Sequence, residues 1–215
     1  MKMNYRAALF DLDGTLIDSL KDIADAMNHV LQQRALPTYA YADYCYMVGN
    51  GMKVLTERAL PKGADAQLVN EVLQEMMQYY AMHLVEKTTL YDGIAELLDR
   101  LVAQEVKIVI LSNKPDHLVR KIASKLMAKW PLAVVRGAIE GIPRKPDPTS
   151  ALNIASELGI EPDKFIYFGD TNVDMETATK AGMYAIGVTW GFRTEKELRE
   201  SGAQTILHHP DEWTM

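Results

Sequence analysis

The sequence predicts an α/β protein built on a doubly wound parallel sheet, with a smaller helical domain inserted into it. Three observations predict this. From about residue 85 onward, short apolar runs alternate with amphipathic stretches, the pattern of strands joined by crossover helices. A further apolar run, Ala7-Ala8-Leu9-Phe10, stands alone near the N-terminus. Between the two, residues 18–84 carry helical spacing and no convincing strand. The simplest division is an α/β core of residues 1–17 and 85–215, with a helical cap at 18–84.

Taken in order, residues 7–10 form a buried strand. Asp18 or Ser19 can cap the next helix, where Leu20, Ile23, Ala24, Met27 and Leu31 fall at helical spacing before Pro37. Residues 40–48 read as a short tyrosine-rich helix. Gly49-Asn50-Gly51 makes a flexible turn into a helix with Val54, Leu55, Ala59 and Leu60, broken by Pro61 and Gly63. A long helix from about 65 to 83 places Leu68, Val69, Val72, Leu73, Met76, Met77 and Tyr80 on one face. Beyond 85, Ile94, Leu97, Leu98, Leu101 and Val102 mark a helix, and residues 106–111 read as a buried strand ending at Ser112-Asn113-Lys114. Leu118, Val119, Ile122 and Leu126 mark another helix, and residues 132–135 a strand. A helix over 148–158 stops at Gly159, where a left-handed cap suits glycine. Residues 164–168 form a strand ending at Gly169-Asp170, followed by a helix to about Ala181 and a strand at Tyr184–Val188. A helix near Glu195–Glu200 and a short strand over 204–207 complete the order.

Composition narrows the function. A hydrophobic content of 48% and a charged content of 24% are ordinary for a globular chain. The net charge of −6 argues against a nucleic-acid or acidic-membrane partner but not against a small anion, because charge within a cleft decides that. The single cysteine, Cys45, cannot form an intrachain disulfide, and there is no signal-like N-terminus, so a cytoplasmic setting is expected. No apolar run approaches the roughly 18 residues of a membrane span. A monomer or homodimer is expected.

Open parallel sheets bind ligands at the carboxyl ends of their strands. Three such ends carry polar groups. The first holds Asp11 and Asp13, two residues apart and so on one side of an extended segment, with Gly14 and Thr15 following. The second holds Ser112 and Asn113, and the third Asp170, with Asp174 just beyond. Lys145, in Arg144-Lys145-Pro146-Asp147-Pro148, adds a cation ahead of the next helix. Taken singly, Ser112 could be a helix cap, Lys145 a solvated charge, and Asp170 and Asp174 helix N-terminal acids. Together they form an inventory suited to a phosphate group and Mg²⁺.

Asp11-Leu12-Asp13-Gly14-Thr15, Ser112-Asn113-Lys114, Lys145-Pro146-Asp147-Pro148 and Gly169-Asp170-Thr171-Asn172-Val173-Asp174 resemble, in that order, the four motifs of the haloacid dehalogenase superfamily. The likeness covers essentially the whole chain, and the helical insert resembles the first-type cap of that superfamily on its Rossmann-like core. Val48-Gly49-Asn50-Gly51 and Val188-Thr189-Trp190-Gly191-Phe192-Arg193 resemble the wording of its phosphoglycolate phosphatase group. Three stretches depart from the usual pattern. Thr171 stands where serine is commoner, Asp92 where proline is common in Tyr-Pro-Gly, and residues 137–144 differ from the usual loop before Lys145.

The resemblance implies a role for each residue. Asp11 is the nucleophile that forms an aspartyl-phosphate. Asp13 is the general acid/base. Asp11, Asp13 through its backbone carbonyl, and Asp170 are Mg²⁺ ligands, with Asp174 as ligand or support. Ser112 and Asn113 donate to phosphate oxygens, with Thr15 near them. Lys145 steadies the nucleophile and the transferring group. The presence of Asp13 points to phosphoryl chemistry, because the dehalogenases that name the superfamily lack that second aspartate and need no metal.

Elementary electrostatics asks for the same set. A carboxylate approaching a phosphate meets repulsion of about 4 kcal/mol per unit charge pair at 4 Å, for an effective dielectric near 20. A divalent ion and Lys145 offset it. An aspartate with a reference pKa of about 3.9 is a poor acid at neutral pH, so Asp13 needs a raised value or proton delivery timed to the leaving group.

In the cap, Gly49-Asn50-Gly51, with Lys53 or Arg58 nearby, is expected to face the substrate, since glycines let backbone N–H groups approach an anion. His208 and His209 lack a third ligand and make a poor metal pair. The 12 methionines read as core filler. The expected partner is a small phosphorylated metabolite, with 2-phosphoglycolate the leading substrate. A phosphosugar mutase, a pyrophosphatase and a phosphorylated receiver module are the competing functions, and the separate cap argues against a receiver.

Overall fold

The computed structural model describes residues 5–214. The chain opens with β1 (Ala7–Phe10) and the two-residue β2 (Ile17–Asp18). Four helices follow, α1 (Leu20–Gln33), α2 (Tyr41–Tyr44), α3 (Met52–Ala59) and α4 (Ala66–Met82), before β3 (Thr89–Leu90). Strands and helices then alternate as α5 (Ile94–Ala103), β4 (Lys107–Pro115), α6 (Asp116–Leu126), β5 (Leu132–Ala138) and α7 (Thr149–Leu158). β6 (Phe165–Gly169), α8 (Asn172–Ala181), β7 (Tyr184–Val188), α9 (Glu195–Glu200) and β8 (Thr205–Leu207) complete the order.

Six strands form one sheet in the order β5-β4-β1-β6-β7-β8, and every neighbouring pair is parallel. The first strand is therefore central, with β4 on one side and β6 on the other. Strand alternation sends Ala8 and Phe10 into one apolar cluster and Ala7 and Leu9 into another, so helices cover both faces. That double burial is why β1 reads as a continuous apolar run and not as an alternating one. Phe10 stacks on Phe168 of the neighbouring strand at 4.5 Å between ring centroids. Burying such a side chain contributes about 1.5–3 kcal/mol.

The insert follows the predicted helical spacing. The first residue of α4 is preceded by Asp65, whose carboxylate accepts the Leu68 N–H at 2.8 Å. Its apolar face buries Val69, Val72, Met76 and Tyr80, and α1 packs along it. The expected helix over 40–48 is only one turn, α2.

Three local features differ from the sequence reading. β4 runs on to Pro115, so Ser112, Asn113 and Lys114 lie within the strand and Ser112 caps no helix. Ser19 stands at the N-cap of α1, but its hydroxyl donates to Asp13 and caps nothing. The chain leaves and re-enters the core through an antiparallel ribbon in which Ile17 pairs with Leu90 and Asp18 with Thr89. Two-residue strands have no periodicity to read.

A buried carboxylate ties this exit and return together. Asp22, on α1, accepts the backbone N–H groups of Glu86 and Lys87 at 3.0 Å, that of Thr88 at 2.9 Å, and the Thr88 hydroxyl at 2.6 Å. Asp22→Ala leaves these four donors without their carboxylate acceptor, the two on Thr88 buried. It is expected to lower unfolding stability by about 2–3 kcal/mol, read as a lower urea midpoint at unchanged m-value. A variant with the wild-type midpoint would contradict this.

Candidate active site

The site forms where β1, β4 and β6 end side by side. One residue past β1, Asp11 donates its N–H to the Phe168 carbonyl at 3.0 Å, which keeps the extended geometry going beyond the strand. Asp11 and Asp13 consequently face the same cleft, as their spacing of two requires. Gly14 then turns the chain at φ +87°. A side chain there would stand 2.3 Å from an Asp170 carboxylate oxygen, so both conformation and space demand glycine.

β6 delivers Asp170, which is wholly buried. One of its oxygens accepts the Thr15 hydroxyl at 2.9 Å and the other the Phe192 N–H at 2.9 Å. Asp174, in the first turn of α8, accepts the Thr171 hydroxyl at 2.7 Å and its N–H at 3.1 Å. Lys145 reaches in from the loop before α7. Its ammonium lies 2.9 Å from Asp11 and 2.7 Å from Asp174, and the residue is 4% exposed, so it is not a solvated charge. Asn113 holds that loop in place. Its amide oxygen accepts the Lys145 N–H, and its amide nitrogen donates to the Lys145 carbonyl, both at 3.0 Å.

The electrostatics are unbalanced. Oxygens of Asp11, Asp170 and Asp174 lie within 4.8 Å of one another, all buried, beside one ammonium. Burial, with Asp174 beside it, pushes the Asp11 carboxyl up to about 7, and Lys145 only partly offsets this. Burial and the charges of Asp174 and Asp11 likewise hold Asp170 well above the usual carboxylate range. Burial works to lower the pKa of Lys145, but Asp11 and Asp174 overcome it and hold the ammonium well above its ordinary value. Such a cluster has room, electrostatically, for a further positive charge. Hard oxygen donors suit a divalent cation.

A second buried pair stands beside the first. The Lys114 ammonium bonds the Asp13 carboxylate and the Tyr80 hydroxyl, the latter at 2.9 Å. Burial opposes the Lys114 charge, but Asp13 and Tyr80 outweigh it and raise its pKa. The burial of Tyr80 pushes its own hydroxyl up to about 12 despite the lysine. The spacing of Ser112-Asn113-Lys114 carried no signal for this pairing. The helical insert adds the Tyr80 contact by bringing that residue over the strand end.

Residues 8–188 match the sequence model of the haloacid dehalogenase-like hydrolases. The chain belongs to that family. It is 32% identical over 208 residues to a phosphoglycolate phosphatase of Pseudomonas putida, covering 94% of this chain and 76% of that one. It is 33% identical over 187 residues to a phosphoglycolate phosphatase of Aquifex aeolicus, covering 87% and 86%. A crystal structure from Haemophilus somnus, described as a predicted phosphoglycolate phosphatase, superposes with a TM-score of 0.91 at 25% identity, covering 99% of this chain and 97% of that one.

In this haloacid dehalogenase-like hydrolase, a cleft opens over Asp11 and Asp13. Asp11, Asp13, Ser112, Asn113 and Lys114 line it from the core, and Ile23, Val48, Gly49, Gly51, Met52 and Leu55 from the helical insert. Among the described residues the Ser112 hydroxyl has no protein acceptor. Its oxygen receives the Lys114 N–H at 3.2 Å, so its hydrogen is available to a ligand.

Several expected contacts fall elsewhere. The Asn113 side chain, expected to donate to phosphate, is committed to Lys145 and to the Gly49 carbonyl, 3.1 Å away. The Thr15 hydroxyl donates to Asp170. Gly49 and Gly51 line the cleft as expected, but Asn50 does not. Its amide oxygen accepts from Arg58, which also donates to the carbonyls of Tyr46 and Met47. Lys53 is exposed and lies outside the lining.

A contact between core and insert went unread in the sequence. The guanidinium of Arg193, in the loop after β7, donates to the carbonyls of Cys45 and Val48 and lies 4.6 Å from the Tyr46 ring centre. Together with the Asn113–Gly49 bond, it holds the turn at residues 45–49 over the cleft. Trp190, from the same loop, donates its indole N–H to the Thr15 carbonyl at 2.9 Å.

Proposed function

We propose that this chain is a Mg²⁺-dependent phosphomonoester hydrolase that works through an aspartyl-phosphate on Asp11, with 2-phosphoglycolate as its preferred substrate. The observation that carries the reading is the Lys145 ammonium bridging Asp11 and Asp174, with Asp170 in the same buried cluster. The names of the Pseudomonas and Aquifex relatives support the substrate. Residues 18–84 would act as a lid over a catalytic body made of 1–17 and 85–215. Closure would exclude water from the reacting centre.

Asp11 attacks phosphorus, the ester P–O bond breaks, and Asp13 gives a proton to the departing oxygen. Water then attacks the aspartyl-phosphate. Asp13 takes its proton, and inorganic phosphate leaves with the Asp11 carboxylate restored. Lys145 holds the Asp11 oxygen in place and reduces repulsion from the incoming phosphate. The Ser112 hydroxyl would donate to a phosphate oxygen. Asp11, Asp170 and Asp174, with the Asp13 main-chain carbonyl, would hold Mg²⁺. When bound, that ion neutralises the surplus carboxylate charge and the charge of the phosphoryl group. Phosphate release across a panel of small phosphate esters, with and without Mg²⁺, tests the reading. Release that ignores chelation, or favours a sugar phosphate over phosphoglycolate, would count against it.

The acidic cluster also sets a pH dependence. Unfolded, Asp11 ionises near 3.8; folded and without a cation, it ionises near 7. Between those values the folded chain keeps a proton that the unfolded chain has lost. Stability from this group is therefore full below pH about 4 and falls as pH rises through about 7. A divalent cation displaces that proton, so its stabilising effect should grow over the same window. Chelator-treated protein should melt roughly 5 °C or more below the Mg²⁺-supplied protein at pH 8, and nearly with it at pH 4.5. A gap independent of pH would refute the assignment.

A further inference from the structure

The proposed acid/base, Asp13, is engaged before any substrate arrives. Its carboxylate is held by the Lys114 ammonium and the Ser19 hydroxyl in a buried site. A neutral leaving group would have to compete for Asp13 without anything to offer Lys114 in return. Moreover, Lys114 is the one cationic side chain among the residues lining the cleft; the insert's share of the lining is apolar apart from two glycines. Lys145 is spent on Asp11 and Asp174. Of the three Lys114 donors, two have partners among the described residues, Asp13 and Tyr80.

We infer that Lys114 recognises a second anionic group on the substrate, a carboxylate carried one carbon from the leaving oxygen, and exchanges Asp13 for it on binding. The inference rests on the phosphatase reading above and deepens it, because it names the substrate class as small phosphate esters with an acidic tail. The geometry follows from the proposed reaction. The leaving oxygen must lie beside the Asp13 carboxyl to receive its proton, and the Lys114 ammonium touches that same carboxyl. A carboxylate joined to the leaving oxygen through one methylene therefore falls within reach of the ammonium. The exchange keeps the buried lysine paired, and Asp13 retains its bond from the Ser19 hydroxyl. Asp13 is then released towards the leaving oxygen only when an acidic tail is present. The Tyr80 hydroxyl, on the insert, holds Lys114 on its other side, so the ammonium stays in place while its carboxylate partner changes.

The experiment compares kcat/KM for 2-phosphoglycolate with that for ethyl phosphate, which has the same chain length without the carboxylate. The wild-type protein should favour phosphoglycolate by at least about tenfold, the worth of one charge-assisted hydrogen bond. Lys114→Gln should slow phosphoglycolate hydrolysis and bring the ratio close to one. Lys114→Arg should recover part of the preference, and Tyr80→Phe should retain it. A glutamine variant with the wild-type ratio would overturn the inference while leaving the hydrolase reading intact. Equal values for the two esters in the wild-type protein would do so without any variant, which covers a glutamine chain that does not fold. Absence of phosphate release from both esters and from p-nitrophenyl phosphate would instead remove the phosphatase reading itself.

Discussion

Asp11→Asn should reduce phosphate release by at least about a thousandfold while leaving the fold in place. The amide is nearly the same shape but has no anionic oxygen to attack phosphorus, so no covalent route remains. The structure adds a second half to this expectation. Asp11 is one of three clustered buried carboxylates, and its own ionisation is opposed by burial and by Asp174. Removing a negative charge from that cluster relieves repulsion. Without a cation at pH 8, the variant should therefore melt no lower than the wild-type chain, and the stabilisation obtained from Mg²⁺ should shrink. Phosphate release and melting curves from the same preparations check both halves. A variant turning over at near the wild-type rate would withdraw the nucleophile assignment.

Lys145→Met should damage both activity and stability. The methionine approximately fills the lysine's volume, so packing changes little, but Asp11 and Asp174 both lose the ammonium they share. Breaking a buried ion pair by removing one partner costs about 3–5 kcal/mol. At neutral and higher pH the orphaned carboxylates are costly; as pH falls, Asp11 can protonate and the loss should diminish. Urea unfolding of chelator-treated protein at pH 5 and pH 8 measures it, with the larger deficit expected at pH 8. Turnover should fall by a hundredfold or more, on the order of the loss of one preorganised electrostatic contact. Lys145→Arg is not a safe substitute, because a planar fork does not replace a point charge held between two single oxygens. A methionine variant as stable as the wild type at pH 8 would show that the pair carries no such energy.

Legibility followed distance along the chain. The Asp11–Asp13 pair was readable because an alternation of two residues is a local rule, and the structure keeps it one step past the strand. Three of the four helices of the insert were readable from apolar spacing, and Asp65 and Gly159 punctuate their helices as such residues should. The order of polar groups at strand ends was readable because parallel crossovers bring those ends to one edge, and Lys145 and Asp170 do meet Asp11 there. Other roles lay beyond any local rule. Thr15 was assigned to a ligand, but its hydroxyl serves Asp170, 155 positions away. Asn113 was assigned to phosphate, but its amide splints the Lys145 loop. Nothing near Asp22 in the sequence signals its bond from Thr88, 66 positions away.

The sequence by itself determined the fold class, the helical insert and which residue types gather at the strand ends. Those follow from periodicity and order, and each is encoded within a few neighbouring residues. Only the tertiary structure decided which charge neutralises which. Lys145 gained Asp174 as a second partner beside Asp11, Lys114 was paired with Asp13, and Arg193 with the carbonyls of the turn above the cleft. Ion pairing acts over a few ångströms in space whatever the separation along the chain, so side chains of equal charge are interchangeable in the sequence and distinct only after folding.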